Sequence, residues 1–290
     1  MKYLYLLSAI AIVAICSCNN PRYISSPSVA NAAFFRQQGD FKFSASASGN
    51  PFSVLNDEDD DDDANNYHGF DVQGAVALSN HFLIQAGGMY RSETDRFDTD
   101  DLLSENTRSK VGYTRSMFDV GAGFYVPMSA SGRVYLNGVV GVGFGKSSST
   151  DRGYPTARTI EWKADVIKYY LQPSFNMFFN DYVRMSVVPR VSILDHQNIE
   201  SGYTEEQEIR LGYDKVRRKN LTLFEPSILL QTGFRNNRWL KLDFGLHFSS
   251  DPLKVRASNY NAAPIVTDVD KLNARNFAAS IGLSFYPGSR

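Results

Sequence analysis

Apolar and polar side chains alternate with a period of two through most of this chain, in stretches joined by connections that are by turns very short and long. That rhythm predicts strands with two unlike faces. In His81 to Arg91, residues Phe82, Ile84, Ala86, Gly88 and Tyr90 share one face, with Gln85 and Arg91 on the other. Leu240, Leu242, Phe244, Leu246 and Phe248 alternate with Lys241, Asp243, Gly245 and His247. Val183, Met185, Val187, Pro189 and Val191 alternate with Arg184, Ser186, Val188 and Arg190, and Phe224, Pro226, Ile228, Leu230 and Phe234 oppose Glu225, Ser227, Gln231 and Arg235. Further strands are expected over Asp40 to Ser48, Gly69 to Leu78, Val111 to Val126, Arg133 to Lys146, Tyr169 to Phe179 and Asn276 to Tyr286, which makes ten.

The tight connections are Ser79-Asn80, Pro127 to Gly132, Asn180-Asp181 and Arg235 to Asn237; the long ones lie near 50–67, 93–110, 147–157, 195–219 and 249–275. Short turns at one end, long polar loops at the other and an even strand count predict an all-β fold, an up-and-down antiparallel transmembrane β-barrel. Residues 159–168 run out of phase with the stretch that follows, which suggests a bulge or an extension beyond the membrane. Pro173, Pro189 and Pro226 fall inside strand patterns, so each is expected to mark a break in the ladder.

Periodicity alone does not say which face is outside. Two features favour apolar-out. Phe82, Phe124, Phe179, Tyr182, Phe234, Trp239 and Phe285 gather where strands meet the short turns, the place of an interfacial aromatic girdle. The other face carries charges of both signs and long polar residues (Gln85, Arg115, Tyr135, Gln172, Arg184, Arg190, Glu225, Lys241), which suits a narrow interior in which opposite charges pair. Any residual gap is expected at Gly121, Gly123, Gly141 and Gly143.

The net charge of −1 gives no basic excess for nucleic acid, and no nucleic-acid partner is expected. Beyond the first twenty residues no apolar run approaches the roughly 20 residues of a membrane helix, so membrane insertion has to rest on strands. The N-terminus has a short basic region and an apolar stretch, Leu4 to Ile15, of signal-peptide length. It ends in Ile15-Cys16-Ser17-Cys18, which resembles a bacterial lipobox with small Ser17 before the modified cysteine. Cys18 is the expected lipidation site, whereas bulky Ile15 disfavours Cys16. The expected divisions are a lipoprotein signal at 1–17, a lipid-anchored periplasmic tether at 18–38 and the barrel at 39–290.

Several short pieces, in order, carry a family resemblance: Asn31-Ala32-Ala33-Phe34-Phe35 before Gly39-Asp40-Phe41, Gly69-Phe70-Asp71-Val72-Gln73, Leu78-Ser79-Asn80-His81-Phe82, Phe118 to Tyr125, and Phe224-Glu225-Pro226-Ser227. With these the chain resembles small outer-membrane β-barrel proteins abundant in Bacteroidota, many of which carry lipoprotein signals. The resemblance implies an outer-membrane barrel and no established biochemical activity. One departure stands out: such barrels commonly end on an aromatic residue, whereas here Pro287-Gly288-Ser289-Arg290 follow Phe285 and Tyr286.

Candidate chemistry is sparse. Gly141 to Ser147 is glycine-rich, but a phosphate loop needs glycine where Val140 stands, and the segment lies within an expected strand. Asp57 to Asp63 is an unbroken acidic run without EF-hand spacing, expected to attract divalent cations loosely rather than to form a shaped metal site. Asp195-His196 and the pair Asp243 and His247 are the candidate acid–base groups for a barrel-rim hydrolase, and they need to lie within hydrogen-bond reach of each other. No catalytic, cofactor-binding or metal residue is expected. The leading reading is a non-enzymatic outer-membrane β-barrel lipoprotein whose partner is membrane lipid, with a structural, binding or narrow-permeation role. A rim hydrolase (protease or lipid esterase) and a soluble periplasmic carrier of an apolar ligand are the alternatives.

Overall fold

Each alternating stretch pairs with its neighbour in sequence, and the first pairs with the last. In the computed structural model, which describes residues 22–49, 66–98, 108–152, 159–211, 213–218, 220–234, 236–250, 272–274 and 277–287, ten antiparallel strands close into a barrel. They are β2 (Phe41–Gly49), β3 (Asn66–Ala77), β4 (Phe82–Asp98), β5 (Arg108–Pro127), β6 (Val134–Arg152), β7 (Thr159–Phe178), β8 (Val183–Ser201), β9 (Leu221–Phe234), β10 (Asn237–Phe248) and β12 (Phe277–Phe285). Closure runs through β12 against β2, with Phe285 opposite Phe43 and Ala279 opposite Gly49. Closure removes the edges at which unpaired N–H and C=O groups would otherwise face lipid. Two short strands lie outside it: β1 (Arg22–Ser25) pairs in parallel with β11 (Leu272–Ala274), within the long connection between β10 and β12.

The tight turns are held by side chains chosen for that work. Asn180 Oδ1 accepts the N–H groups of Tyr182 and Val183, both at 2.8 Å, an Asx turn. Ser79 Oγ does the same for His81 and Phe82. The entry to β2 is closed from the other side: Asp40 Oδ2 accepts from the preceding Arg36 N at 2.7 Å and Gln37 N at 3.1 Å, while Gly39 has φ +86°. That left-handed conformation favours glycine because it has no Cβ.

The exterior is apolar. Phe82, Val140, Phe118, Phe144, Ile281 and Leu171 all expose half or more of their surface. The interior is polar: Gln85, Arg115, Gln172, Arg190, Glu225 and Lys241 are buried, as is Tyr135, while Arg184 is half-buried. A soluble carrier barrel has the opposite sidedness. The aromatic girdle at the short turns is present on the outer face, where Phe82, Phe124, Phe179, Phe234 and Trp239 are exposed and Trp239 packs edge-on against Phe285 at 5.0 Å.

Residues 159–168 explain their own odd phase. Burial alternates without a break along β7, with even-numbered residues inward from Trp162 to Phe178. What changes is the chemistry of each face. Above Tyr169 the inward residues Trp162, Ala164 and Val166 are apolar and the outward residues Glu161, Lys163 and Asp165 are charged. The strand has left the apolar band, and the ordinary inside-apolar pattern of a water-exposed sheet takes over. A register shift against β8 between Lys163 and Asp165 adds the expected bulge. Strands β4 to β8 all run longer than the periodicity suggested, so the loops expected from 93, 147 and 195 begin instead at Asp98, Arg152 and Ser201. The last of these holds two short helices, α1 (Glu205–Leu211) and α2 (Tyr213–Arg218). Thr204 opens α1 through a capping box, exchanging hydrogen bonds with Gln207.

The three prolines share one level. Pro189 pairs with Pro226 across β8 and β9. Between β7 and β8 the pairs Leu171–Val191 and Phe175–Val187 keep one register with no pair between them, which puts Pro173 opposite Pro189 in the interruption. Proline donates no N–H, so grouping the three confines the loss to one patch of the wall.

The stretch expected at 18–38 as a tether is described from residue 22, and residues 24–35 of it lie inside the barrel instead of hanging free of it. Ile24, Ala30, Ala32, Ala33, Phe34 and Phe35 are buried, and the segment runs through the barrel. Signal, lipobox and acidic-run residues lie outside the described ones.

Candidate functional site

Among the described residues the lumen is where polar side chains converge, and it is occupied by the chain itself. The segment descends in order. Ile24 shares a buried apolar cluster with Trp162, Tyr203 and the α2 residues Tyr213 and Val216. Pro27 O accepts from Arg91 Nη2 at 3.1 Å, and Ser28 from Arg190 Nη2 at 2.7 Å. Val29 N donates to Asp71 at 3.2 Å while Val29 O accepts from Gln73 Nε2 at 2.6 Å. Lower down, Asn31 O accepts from Gln172 at 3.0 Å and Asn31 Nδ2 donates to Gly74 O at 3.0 Å. Ala33 O accepts from both Asn137 at 2.8 Å and Asn176 at 3.1 Å. Phe34 meets Phe178 edge-on at 5.8 Å, and Phe35 meets Tyr125 at 6.1 Å.

The wall therefore reads main-chain atoms. A buried peptide group without a partner is costly, so a strand-like segment inside a barrel depends on side chains that replace the ladder it lacks. Asparagine and glutamine suit this because each amide donates and accepts. Small side chains on the segment (Ser26, Ser28, Ala30, Ala32, Ala33) let it fit.

Several charges in the lumen are paired, and others are met by neutral oxygens or aromatic rings. Arg91 bonds Asp71 at 2.8 Å and Arg115 bonds Glu93 at 2.7 Å. Ser26 also contacts Glu93, and Arg115 donates to Ser26 Oγ at 2.6 Å, which ties the segment into that pair. Glu225 lies between Lys168 at 2.7 Å and Arg190 at 3.2 Å and accepts from Ser192. Lys42 Nζ donates to Ala32 O at 3.0 Å and Asn31 Oδ1 at 3.2 Å, whereas Lys241 Nζ reaches Asp181 O at 2.8 Å. At the short-turn mouth the guanidinium of Arg36 sits 4.0 Å over the Phe178 ring, with Arg184 over Phe178 and Tyr286.

Two of the four glycines expected to leave a gap, Gly121 and Gly141, do not. A Cβ on Gly141 would run into the Tyr170 ring, 2.6 Å from Cε1, and one on Gly121 would lie 2.6 Å from Tyr170 Oη. Their missing side chains make the seat for the Tyr170 ring, whose hydroxyl donates to Asp119 at 3.1 Å and accepts from Gln85 at 3.3 Å.

Neither acid–base candidate is assembled. Asp195 and His196 are strand neighbours, so they point to opposite faces. Asp195 bonds Gln197 on the outside, and His196 is buried 6.2 Å from the Trp162 ring. Asp243 and His247 share the inner face but stand four residues, about 13 Å, apart along β10. Asp243 accepts from Ser284, while His247 bridges Ser227 at 3.0 Å and Ser280 at 2.9 Å.

No model of a known protein family matches the sequence, and no curated protein matches it. Among solved structures the chain is similar to the translocator domain of the autotransporter NalP from Neisseria meningitidis, at 9% identity and TM-score 0.44 over 98% of this chain and 94% of that one. It is also similar to the outer membrane protease OmpT from Escherichia coli, at 11% identity and TM-score 0.40 over 86% of this chain and 94% of that one. A major outer membrane protein from Thermus thermophilus matches at 9% identity and TM-score 0.35, over 85% of this chain and 99% of that one.

Proposed function

We propose that this chain is a non-enzymatic outer-membrane β-barrel lipoprotein, acylated at Cys18, that acts through structure or binding at its long-loop end rather than by passive diffusion through its lumen. The observation that carries the reading is the occupied lumen: residues 24–35 fill it and are hydrogen-bonded to β3, β7 and β8. A barrel of ten strands is only slightly wider than the eight-stranded type whose side chains already fill it. An extra chain segment inside leaves no aqueous path of porin size. The apolar exterior, the polar interior and the closed ladder all favour a membrane setting.

In planar bilayers the purified protein is expected to give only small, poorly selective conductance; large stable steps overturn the reading. Cys18→Ala is expected to abolish acyl-chain labelling, with Cys16→Ala leaving it intact. Turnover of peptide or lipid-ester substrates lost on His196→Ala or His247→Ala, with the barrel still folded, establishes the rim hydrolase instead.

A further inference from the structure

We infer that the mature N-terminus of this protein is threaded through its own barrel and emerges at the long-loop face, so that the group carried on Cys18 is delivered to the cell surface rather than to the periplasm. The inference rests on the proposed outer-membrane setting and deepens it.

The direction of the segment carries the argument. Its partners along β7 follow in sequence order: Ile24 at the level of Trp162, Asn31 at Gln172, Ala33 at Asn176 and Phe34 at Phe178. Phe178 sits at the tight turn with β8, and Gln38 N donates to Asn80 Oδ1, in the tight turn between β3 and β4, at 3.0 Å. The upper end is fixed independently by β1, whose parallel partner β11 lies in the long connection between β10 and β12. So Arg22 stands among the long loops and Arg36 among the short turns. Short turns face the periplasm and long loops the exterior in outer-membrane barrels.

Chain reach excludes the other arrangement. From the level of Trp162 to that of Phe178 is about 50 Å along a strand at roughly 3.3 Å per residue, or about 40 Å along an axis tilted by about 40°. Cys18 precedes Arg22 by four residues, which span about 14 Å at most. A chain already at the long-loop rim has no means of returning Cys18 to the short-turn side. The inner leaflet, the destination of a periplasmic tether, is out of reach, and the outer leaflet is the nearest hydrocarbon.

The fastening shows that this route belongs to the fold. Hydrogen bonds to Pro27, Ser28, Val29, Asn31, Ala32 and Ala33 come from side chains of six different strands, β2, β3, β4, β6, β7 and β8. The barrel has to close around the segment, or the segment has to enter before closure.

Three variants of the full chain, each adding one thiol while Cys18 is kept for acylation, test this against the unlabelled parent in cells treated with a membrane-impermeant maleimide: Asn20→Cys at the N-terminus, Asp60→Cys in the acidic long connection and Ser131→Cys in a tight turn. We expect Asn20→Cys and Asp60→Cys to label to the same extent before and after the outer membrane is permeabilised, and Ser131→Cys only after. Failure of Asn20→Cys to label in intact cells, whether or not permeabilisation restores it, overturns the threaded route while Asp60→Cys and Ser131→Cys still report the membrane setting. Labelling of Ser131→Cys in intact cells overturns the orientation itself. An epitope inserted between Asn19 and Asn20 gives a second reading: antibody binding to intact cells supports the route, and binding confined to permeabilised cells overturns it.

Discussion

Gln172 Nε2 donates to the main-chain carbonyl of Asn31, 141 residues earlier in the sequence, at 3.0 Å in the middle of the barrel. Gln172 is on the wall and Asn31 on the segment that fills the lumen, so this bond and its neighbours do for the segment what a ladder does for a strand. Gln172→Leu removes the donor and leaves the Asn31 carbonyl buried, at a cost of about 1–3 kcal/mol. The variant is expected to lose its unheated gel mobility at a lower temperature than the parent. Deleting residues 23–35 goes further and removes the plug. Conductance steps in planar bilayers are then expected to rise well above those of the full chain, and unchanged steps overturn the account of the lumen.

Glu225 is the central charge of the interior, held between Lys168 and Arg190. Glu225→Leu leaves two buried cations facing each other, and breaking a buried pair in this way costs about 3–5 kcal/mol. Replacing all three together (Lys168→Met, Arg190→Met, Glu225→Leu) removes the charges as a set and is expected to be markedly less harmful, although Ser28 loses its Arg190 donor. Midpoints of urea unfolding in detergent or lipid compare the two variants. A triple variant as unstable as the single one contradicts the pairing argument.

The sequence made the wall legible and hid its contents. Leu240, Leu242 and Phe244 against Lys241 and Asp243 reveal a two-faced strand directly, because strand side chains alternate whatever they pack against. The charges of both signs at Arg190 and Glu225 likewise announce an interior in which ions must pair. The plug gave no such signal. Residues 25–33 have no periodicity because the wall surrounds the segment, and many of their hydrogen bonds are made by main-chain atoms that every residue possesses. The only trace was the small-residue composition, Ser25-Ser26-Pro27-Ser28 and Ala32-Ala33, with an excess of inward Asn and Gln opposite it. Residues 159–168 announced a departure from the pattern without showing its cause. A single strand crosses two solvents, so its apolar face reverses without any change in backbone.

The helical pair above the barrel is held by Glu208, whose two carboxylate oxygens accept from Arg217 Nε and Nη2, each at 2.9 Å. Burial pushes the Glu208 pKa up, but the Arg217 and Ser201 hydrogen bonds and the guanidinium charge outweigh it, and the carboxyl titrates below its ordinary value. A depressed folded-state value means the contribution is complete above the unfolded carboxylate range and is lost as pH falls through the folded one. Since Arg217 is half open to solvent, the loss is about 1 kcal/mol or less. Amide exchange in α1 and α2, corrected for intrinsic rates, is expected to stay slow at neutral pH and to quicken in acid before the barrel strands do. Glu208→Gln is expected to abolish that acid dependence, and exchange that still tracks pH in this variant assigns it to another group.

The Tyr170 ring lies where a side chain on Gly141 would be. In a close-packed interior a volume added at one residue must be removed at its neighbour. Gly141→Ala drives a Cβ into the Tyr170 ring, an overlap the ring relieves only by swinging away from Asp119 and Gln85. The expected loss is about 1–3 kcal/mol, typical of overpacking. Tyr170→Ala alone leaves a cavity beside the plug, with a cost of about 3–5 kcal/mol and a small rise in conductance. In the double variant the clash is absent, so adding Gly141→Ala to Tyr170→Ala is expected to cost almost nothing further. The coupling energy of this cycle, measured from unfolding midpoints, is therefore expected to be large and compensating. Additive effects place the ring elsewhere and reopen Gly121 and Gly141 as the site of a gap.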